Sequence, residues 1–188
     1  LEGLGELQVI DGKITVIAPT LGIDAHVPRI NLRLRVDGPR VRAGVRAWPT
    51  VNAAGAAASP LDTVLDFDRV KGDGRAYIGA RRADLAAWAP LLQVAGVGSE
   101  SGEGRAEAWA DLRDHRITQV TADVALDRVG LRGAPLAGGV VPRVQFSRVA
   151  ALARWRTIDG GWRADAKTLR IQTGKVSQKL DGLGVAGG

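Results

Sequence analysis

The chain has 188 residues, 45% hydrophobic and 24% charged, with 26 Lys+Arg against 20 Asp+Glu and a net charge of +6. That length suits one ordinary domain, or a slab cut from something larger, is ample for a real core, and with this balance excludes low-complexity disorder. With no Cys, disulfides, cysteine-based zinc sites and thiol nucleophiles are excluded together.

No apolar run reaches the roughly 18 to 20 residues a membrane-spanning helix needs, and the start lacks the basic and apolar regions of a secretory signal. The chain opens at Leu1 and contains no Met, which reads as a processed product or an excised segment. An anchor, if the parent has one, is expected outside these residues.

Taken in chain order, the dominant signal is two-residue alternation, the period of a half-buried strand. Leu7 and Val9 precede Asp11-Gly12, a favoured type I′ pair, and Ile14, Val16 and Ala18 follow. This predicts a hairpin with Val9 opposite Ile14 and Leu7 opposite Val16. From Arg29 to Val36 every even position is aliphatic and every odd one polar. After Asp37-Gly38-Pro39 the row resumes at Val41, Ala43, Val45 and Ala47 against Arg40, Arg42 and Arg46. Residues 53–60 read as a loop or a weak helical turn. Leu61, Thr63, Leu65 and Phe67 alternate with Asp62, Asp66 and Asp68, and Ala76, Ile78 and Ala80 answer them beyond Gly72-Asp73-Gly74.

One short helix is expected where Asp84 can cap Leu85–Ala89, limited by Pro90. Gly96 to Gly104 reads as a Gly-rich loop. Ala106, Ala108, Ala110 and Leu112 then turn at Asp114 into Thr118, Val120, Ala122, Val124 and Leu126. Gly133 to Pro142 reads as another loop. Val149, Ala151, Ala153 and Trp155 lead through Asp159-Gly160-Gly161 into Trp162, Ala164 and Ala166. About ten strands result, the spacing of an all-β meander. Residues 1–174 read as a single β-rich segment and 175–188 as a flexible tail.

Chemistry-bearing constellations are sparse. A metal site needs several convergent ligands, and His26 and His115 lack co-ligands in sequence; beside turn signals, both read as ordinary loop residues. Gly96 to Gly102 lacks the Gly-x-Gly-x-x-Gly spacing of a phosphate cradle and has Glu100 where a nucleophile elbow would place Ser. Asp62, Asp66 and Asp68 share a strand face, but nothing beside them would separate their pKa values as acid–base catalysis requires. The reading is therefore a non-enzyme without metal or cofactor. Arg154-Trp155-Arg156 raises nucleic acid, but parity turns Trp155 toward the apolar row, opposite Ala164, and both arginines away from it. Base stacking needs the ring on the basic face, so no nucleic acid is expected.

The order of several stretches resembles the periplasmic part of the AsmA-like family, in particular its YhdP-type phospholipid transporters of Gram-negative bacteria. The stretches are Gly5-Glu6-Leu7 with Asp11-Gly12-Lys13-Ile14; Ile30 to Leu34; Arg82 to Trp88; Leu112 to Leu126; Trp155-Arg156 with Asp159-Gly160-Gly161-Trp162; and the return strand Ala164 to Ile171. They cover most of residues 5–173. The resemblance implies a long curved β-sheet whose apolar face carries phospholipid acyl chains between membranes from an inner-membrane anchor. It would place this segment in the periplasm and link it to inner- and outer-membrane components through the rest of its parent.

The expected fold is thus mostly β: a long, curved, open antiparallel sheet with one short helix, and a β-sandwich as the alternative. Ile30, Leu32, Leu34, Val36, Val41, Ala43 and Val45 form the longest apolar row joined by a short turn and are the expected lining of the groove. Two other functions fit the residues. One is a basic module that binds nucleic acid or acidic glycan through Arg29, Arg33, Arg35, Arg40, Arg42 and Arg46. The other is a structural spacer of the cell envelope that binds no ligand.

Overall fold

The computed structural model describes residues 5–18, 23–48, 59–89, 98–136 and 138–188. It consists of ten strands and one helical turn: β1 (Glu6–Ala18), β2 (Ile23–Asp37), β3 (Arg40–Trp48), β4 (Leu61–Asp68), β5 (Gly74–Asp84), α1 (Leu85–Trp88), β6 (Gly98–Arg113), β7 (Arg116–Arg132), β8 (Arg143–Ile158), β9 (Gly161–Thr173) and β10 (Val176–Gly187). The strands form a single sheet in the order β1 to β10, and every ladder is antiparallel. The sheet is open and curved and does not close into a barrel. With all ten strands in one sheet, the sandwich alternative is excluded.

The alternation dictates this arrangement. Successive side chains of a strand point to opposite faces, so aligning the apolar positions of neighbours fixes each register. Val36 pairs with Val41, Leu34 with Ala43 and Leu32 with Val45. The β8–β9 hairpin closes between Ile158 and Gly161, which sets Trp155 opposite Ala164 as the turn length predicts.

Three local expectations are corrected. Asp11-Gly12 does not reverse the chain. Asp11 takes φ 53° inside a continuous β1 as a bulge, with Val9 opposite Leu32 and Gly12 opposite Ile30. Its amide donates to Asn31 Oδ1 at 2.9 Å, and Arg29 Nε donates to its carboxylate at 2.6 Å. The left-handed residue that would serve a type I′ turn equally serves a bulge, and the fifteen-residue β2 offers a full-length partner.

Residues 98–104, expected in a loop, begin β6, with Gly102 and Gly104 at φ 146° and 148°. Residues 175–188, expected as a tail, supply β10, paired with β9 from Val176↔Thr173 to Gly187↔Trp162. Most of the 53–60 stretch lies outside the described residues, whereas 133–136 and 138–142 are a loop as expected.

Connections differ at the two ends of the sheet. At one end the links are short: 38–39, 69–73, 114–115 and 159–160. At the other lie α1 and the loop described over 133–136 and 138–142, beside the equally short link 174–175. Asp84 caps α1 by accepting from the Ala86 and Ala87 amides at 3.0 and 3.3 Å. The turn leads Trp88 into burial, and Leu85 packs on a small cluster of Ala80, Ala83, Leu126 and Val129.

Burial is otherwise thin. Among the described residues only Val27, Ile30, Ala80, Ala83, Trp88, Leu126 and Val129 are buried hydrophobics. The chain exposes 12349 Å², whereas a compact monomer of 19.7 kDa would expose about 8,600 Å². Among the described residues the fold is a sheet without a second layer over most of its length.

Candidate functional site

Residues paired across an antiparallel ladder project from the same side of the sheet, so the registers can be followed from edge to edge. One row starts at Leu7 on β1 and passes through Leu34, Ala43, Leu65 and Ala76. It continues through Ala110, Val120, Trp155 and Ala164 to Val185 on β10. Every one of the ten positions is apolar. The adjacent row runs Val9, Leu32, Val45, Thr63, Ile78 and then Ala108, Ala122, Ala153, Ala166, Leu183. Thr63 is its one hydroxyl, and a threonine also presents a methyl group.

The two rows vary in depth. Leucine and valine dominate over β1–β4, alanine over β6–β8, and leucine or valine return on β10. The alanines leave this part of the face lower than the leucine and valine positions that flank it, with Val120 and Trp155 standing among them. Ile78, Leu180, Leu183 and Val185 are each more than two-fifths exposed, far from the burial these residue types usually reach in a core.

All seven residues expected to line a groove lie together on this face. Val36, Leu34 and Leu32 stand directly opposite Val41, Ala43 and Val45, with Ile30 next in line opposite Ala47. Ile30 is buried and the other six are half-buried. The apolar surface is wider than the sequence reading, because Leu169, Leu180, Leu183 and Val185 extend it onto β9 and β10. The signal in β10 is the spacing of Leu183 and Val185 across Gly184, an alternation masked by the glycines.

The opposite face is a lattice of charge. Arg40 makes a bidentate pair with Asp66 at 2.7 Å through both oxygens, and Arg46 does the same with Asp62 at 2.7 and 3.2 Å. Arg105 grips Asp123 through both oxygens and reaches Glu107 at 2.7 Å. The hydrogen bond from Arg40 holds the Asp66 carboxyl below the usual range. Arg105, aided by the Tyr77 hydroxyl, does so for Glu107. Burial, then the hydrogen bond to Glu107, pushes the Tyr77 phenol up. Tyr77 and Trp109 lie 5.7 Å apart on this face, a small aromatic patch among the ions.

The arginines considered as a basic reading head are largely engaged. Arg29 meets Asp11 at 2.6 Å and lies 4.4 Å over the Trp48 ring, and Arg33 meets Glu6 at 2.8 Å. Arg40, Arg42 and Arg46 share Asp66 and Asp62. His26, expected in a loop, lies in β2 opposite Thr15 of β1, its Nδ1 3.2 Å from Thr15 Oγ1, whereas His115 lies in a turn as expected, its Nε2 3.1 Å from the Arg69 carbonyl. Asp68 accepts from the Val70 and Lys71 amides and so shapes its own turn. Among the described residues no His, Cys, Asp or Glu side chains gather as a metal site, and no helix is long and apolar enough to cross a membrane.

Comparison with protein-family models, with characterised proteins and with solved structures finds no match to this chain. Its function is therefore argued from the two faces alone.

Proposed function

We propose that the apolar face is a sliding surface for phospholipid acyl chains, and that the chain is a slab of an AsmA-like, YhdP-type protein that moves lipid between membranes. The observation that carries this reading is the pair of apolar rows running through all ten strands of an open sheet. Exposing acyl chains to water costs about 0.8 kcal/mol per CH₂. A continuous apolar floor lets a chain translate without that penalty, because each strand it crosses presents apolar groups. The alanines of β6–β9 support this, since their short side chains leave depth for an acyl chain beside Trp155, while leucines and valines flank them.

Such a role requires no nucleophile, metal or cofactor, only surface and continuity. The charged face would keep the slab in water, its arginines matched to carboxylates. The parent is proposed to be periplasmic and anchored in the inner membrane, contacting components of both membranes through its other parts.

Native mass spectrometry of the chain purified from a Gram-negative host tests the reading. Co-purifying phospholipid at low stoichiometric ratios, retained in high salt, is the expected result. An apo spectrum, together with no uptake of a fluorescent acyl probe, would favour an envelope spacer. Binding that collapses with ionic strength would favour the basic module.

A further inference from the structure

We propose that the charged face carries an anion site over β8–β10, built to receive a phosphate group, on the side of the sheet away from the apolar rows. Over β3–β6 each of the arginines 40, 46, 75 and 105 meets a carboxylate on a neighbouring strand. Over β8 and β9 the pattern thins: Arg148 meets Asp127 of β7, and Arg154 stands opposite Asp165, whose close partner is Arg163 on its own strand. Arg156 stands directly opposite Arg163 on one side and Gln119 on the other, so neither cross-strand neighbour offers a carboxylate. Like charges directly opposite each other destabilise a sheet, and the carboxylate beside this pair, Asp165, is held by Arg163.

Arg154, Arg156, Arg163 and Lys167 surround a depression of about 550 Å³, in which Asp165 is the one carboxylate. Four cations against one anion leave a formal excess of three positive charges. Asp165 is itself taken by Arg163, at 2.7 Å; that hydrogen bond, with the charges of Arg156 and Arg154, holds its carboxyl below the usual range. Among the described residues neither Arg154 nor Arg156 nor Lys167 has a carboxylate within ion-pair distance, and the Arg156 Nε is buried without a hydrogen-bond partner.

Arg154 opposite Asp165 and Arg156 opposite Arg163 set two guanidinium groups side by side on β8, with one carboxylate between them that Arg163 already holds. Guanidinium forks match phosphate oxygens bidentately, and Gln119 and Thr121 on the rim add neutral donors. On β10 the site borders Gly182, at φ 70°, and Gly184 stands opposite Asp165, so no side chain from those positions fills the space beside the forks. The phosphate could belong to a lipid headgroup or to a soluble phosphate ester, and the same four side chains would hold either.

Titration of the chain with inorganic pyrophosphate by calorimetry at low ionic strength tests the site. Saturable binding that weakens with salt is expected, and at least tenfold weaker binding by the Arg154→Gln/Arg156→Gln protein. That variant relieves a like-charge contact and is expected to melt no lower than the parent. Arg156→Lys, which keeps the charge and loses the fork, should bind with intermediate affinity, and Arg33→Gln/Arg35→Gln on β2 should bind within twofold of the parent. Flotation with phosphatidylglycerol vesicles then identifies the source. Capture displaced by pyrophosphate and lost in the β8 double variant assigns a headgroup. No capture, or capture unaffected by that variant, assigns a soluble phosphate ester. Absence of saturable pyrophosphate binding, equal binding by the β8 double variant, or equal weakening in the β2 variant overturns the proposal.

Discussion

Leu34 on β2 stands between Leu7 on β1 and Ala43 on β3, each directly opposite it on the apolar face. Leu34→Asp would place a carboxylate in the row that crosses the sheet. The face is open, so water can reach the new charge, and the cost is expected at about 2 kcal/mol rather than that of a sealed core. Far-UV circular dichroism should remain that of a β-sheet, while photo-crosslinking of an acyl probe falls at least tenfold. Unchanged crosslinking would remove this row from the lipid path.

Ala122 and Ala153 face each other in the alanine zone. Ala122→Leu would raise this part of the face without adding polarity, and on an uncovered face it has room to stand. The expected outcome is wild-type melting, within about 0.5 kcal/mol as for ordinary surface substitutions, with slower acyl-probe transfer. A loss of stability of several kcal/mol would instead show that another layer covers this zone.

Acid should loosen the sheet through its charged face. Asp66, Asp68, Glu107 and Asp165 all have carboxyls held below their ordinary values, by Arg40, the Lys71 amide, Arg105 and Arg163 respectively. A carboxyl depressed in the folded state contributes stability above its unfolded pKa and loses it as pH falls through the folded value. The melting temperature should therefore be flat from neutral pH to about 5 and fall below about 4. Asp66→Asn should make that acid limb shallower, and an identical limb would show that this carboxyl does not contribute.

Asp84 is the N-cap that turns the chain from β5 into α1. Replacing it with Ala should cost about 1 kcal/mol and free the turn that buries Trp88. Urea denaturation should report the loss, with a red-shifted tryptophan emission before the main transition. An unshifted native spectrum would mean that Trp88 is held by other contacts.

Gly104 lies at φ 148°, and a Cβ there would strike the Ala125 carbonyl and the Leu126 Cα of β7. Gly104→Ala is expected to destabilise by about 3 kcal/mol, combining backbone strain with displaced neighbours. A thermal melt measures it, and a change below about 0.5 kcal/mol would show that the β6–β7 ladder yields easily.

The alternation is a sufficient guide where large aliphatic and charged residues take turns, as from Arg29 to Val36. There only one register keeps the leucines together, and turn length did the rest. Asp11-Gly12 misled because the same local geometry ends a strand or kinks it, and the deciding factor is β2, remote in sequence. Residues 98–104 and β10 were obscured by glycine and by short polar side chains; their strands are imposed by ladders to β7 and β9 rather than by intrinsic preference. On the charged face, Arg40, Arg46, Asp62 and Asp66 were each visible in sequence, but their matching, and the mismatch of Arg156 with Arg163, required the register.

Every ladder in this sheet joins strands that are also neighbours along the chain. No pairing waits for a distant segment to return, so the entropy of closing each contact is that of a short loop, and assembly can proceed hairpin by hairpin from several starting points. Cooperativity is correspondingly limited to nearest neighbours, as in stacked repeats. Damage in β9 would release β9 and β10 while β1 to β8 stayed paired. A protease would then shorten such a molecule from its edges, a strand at a time, instead of consuming it in one event.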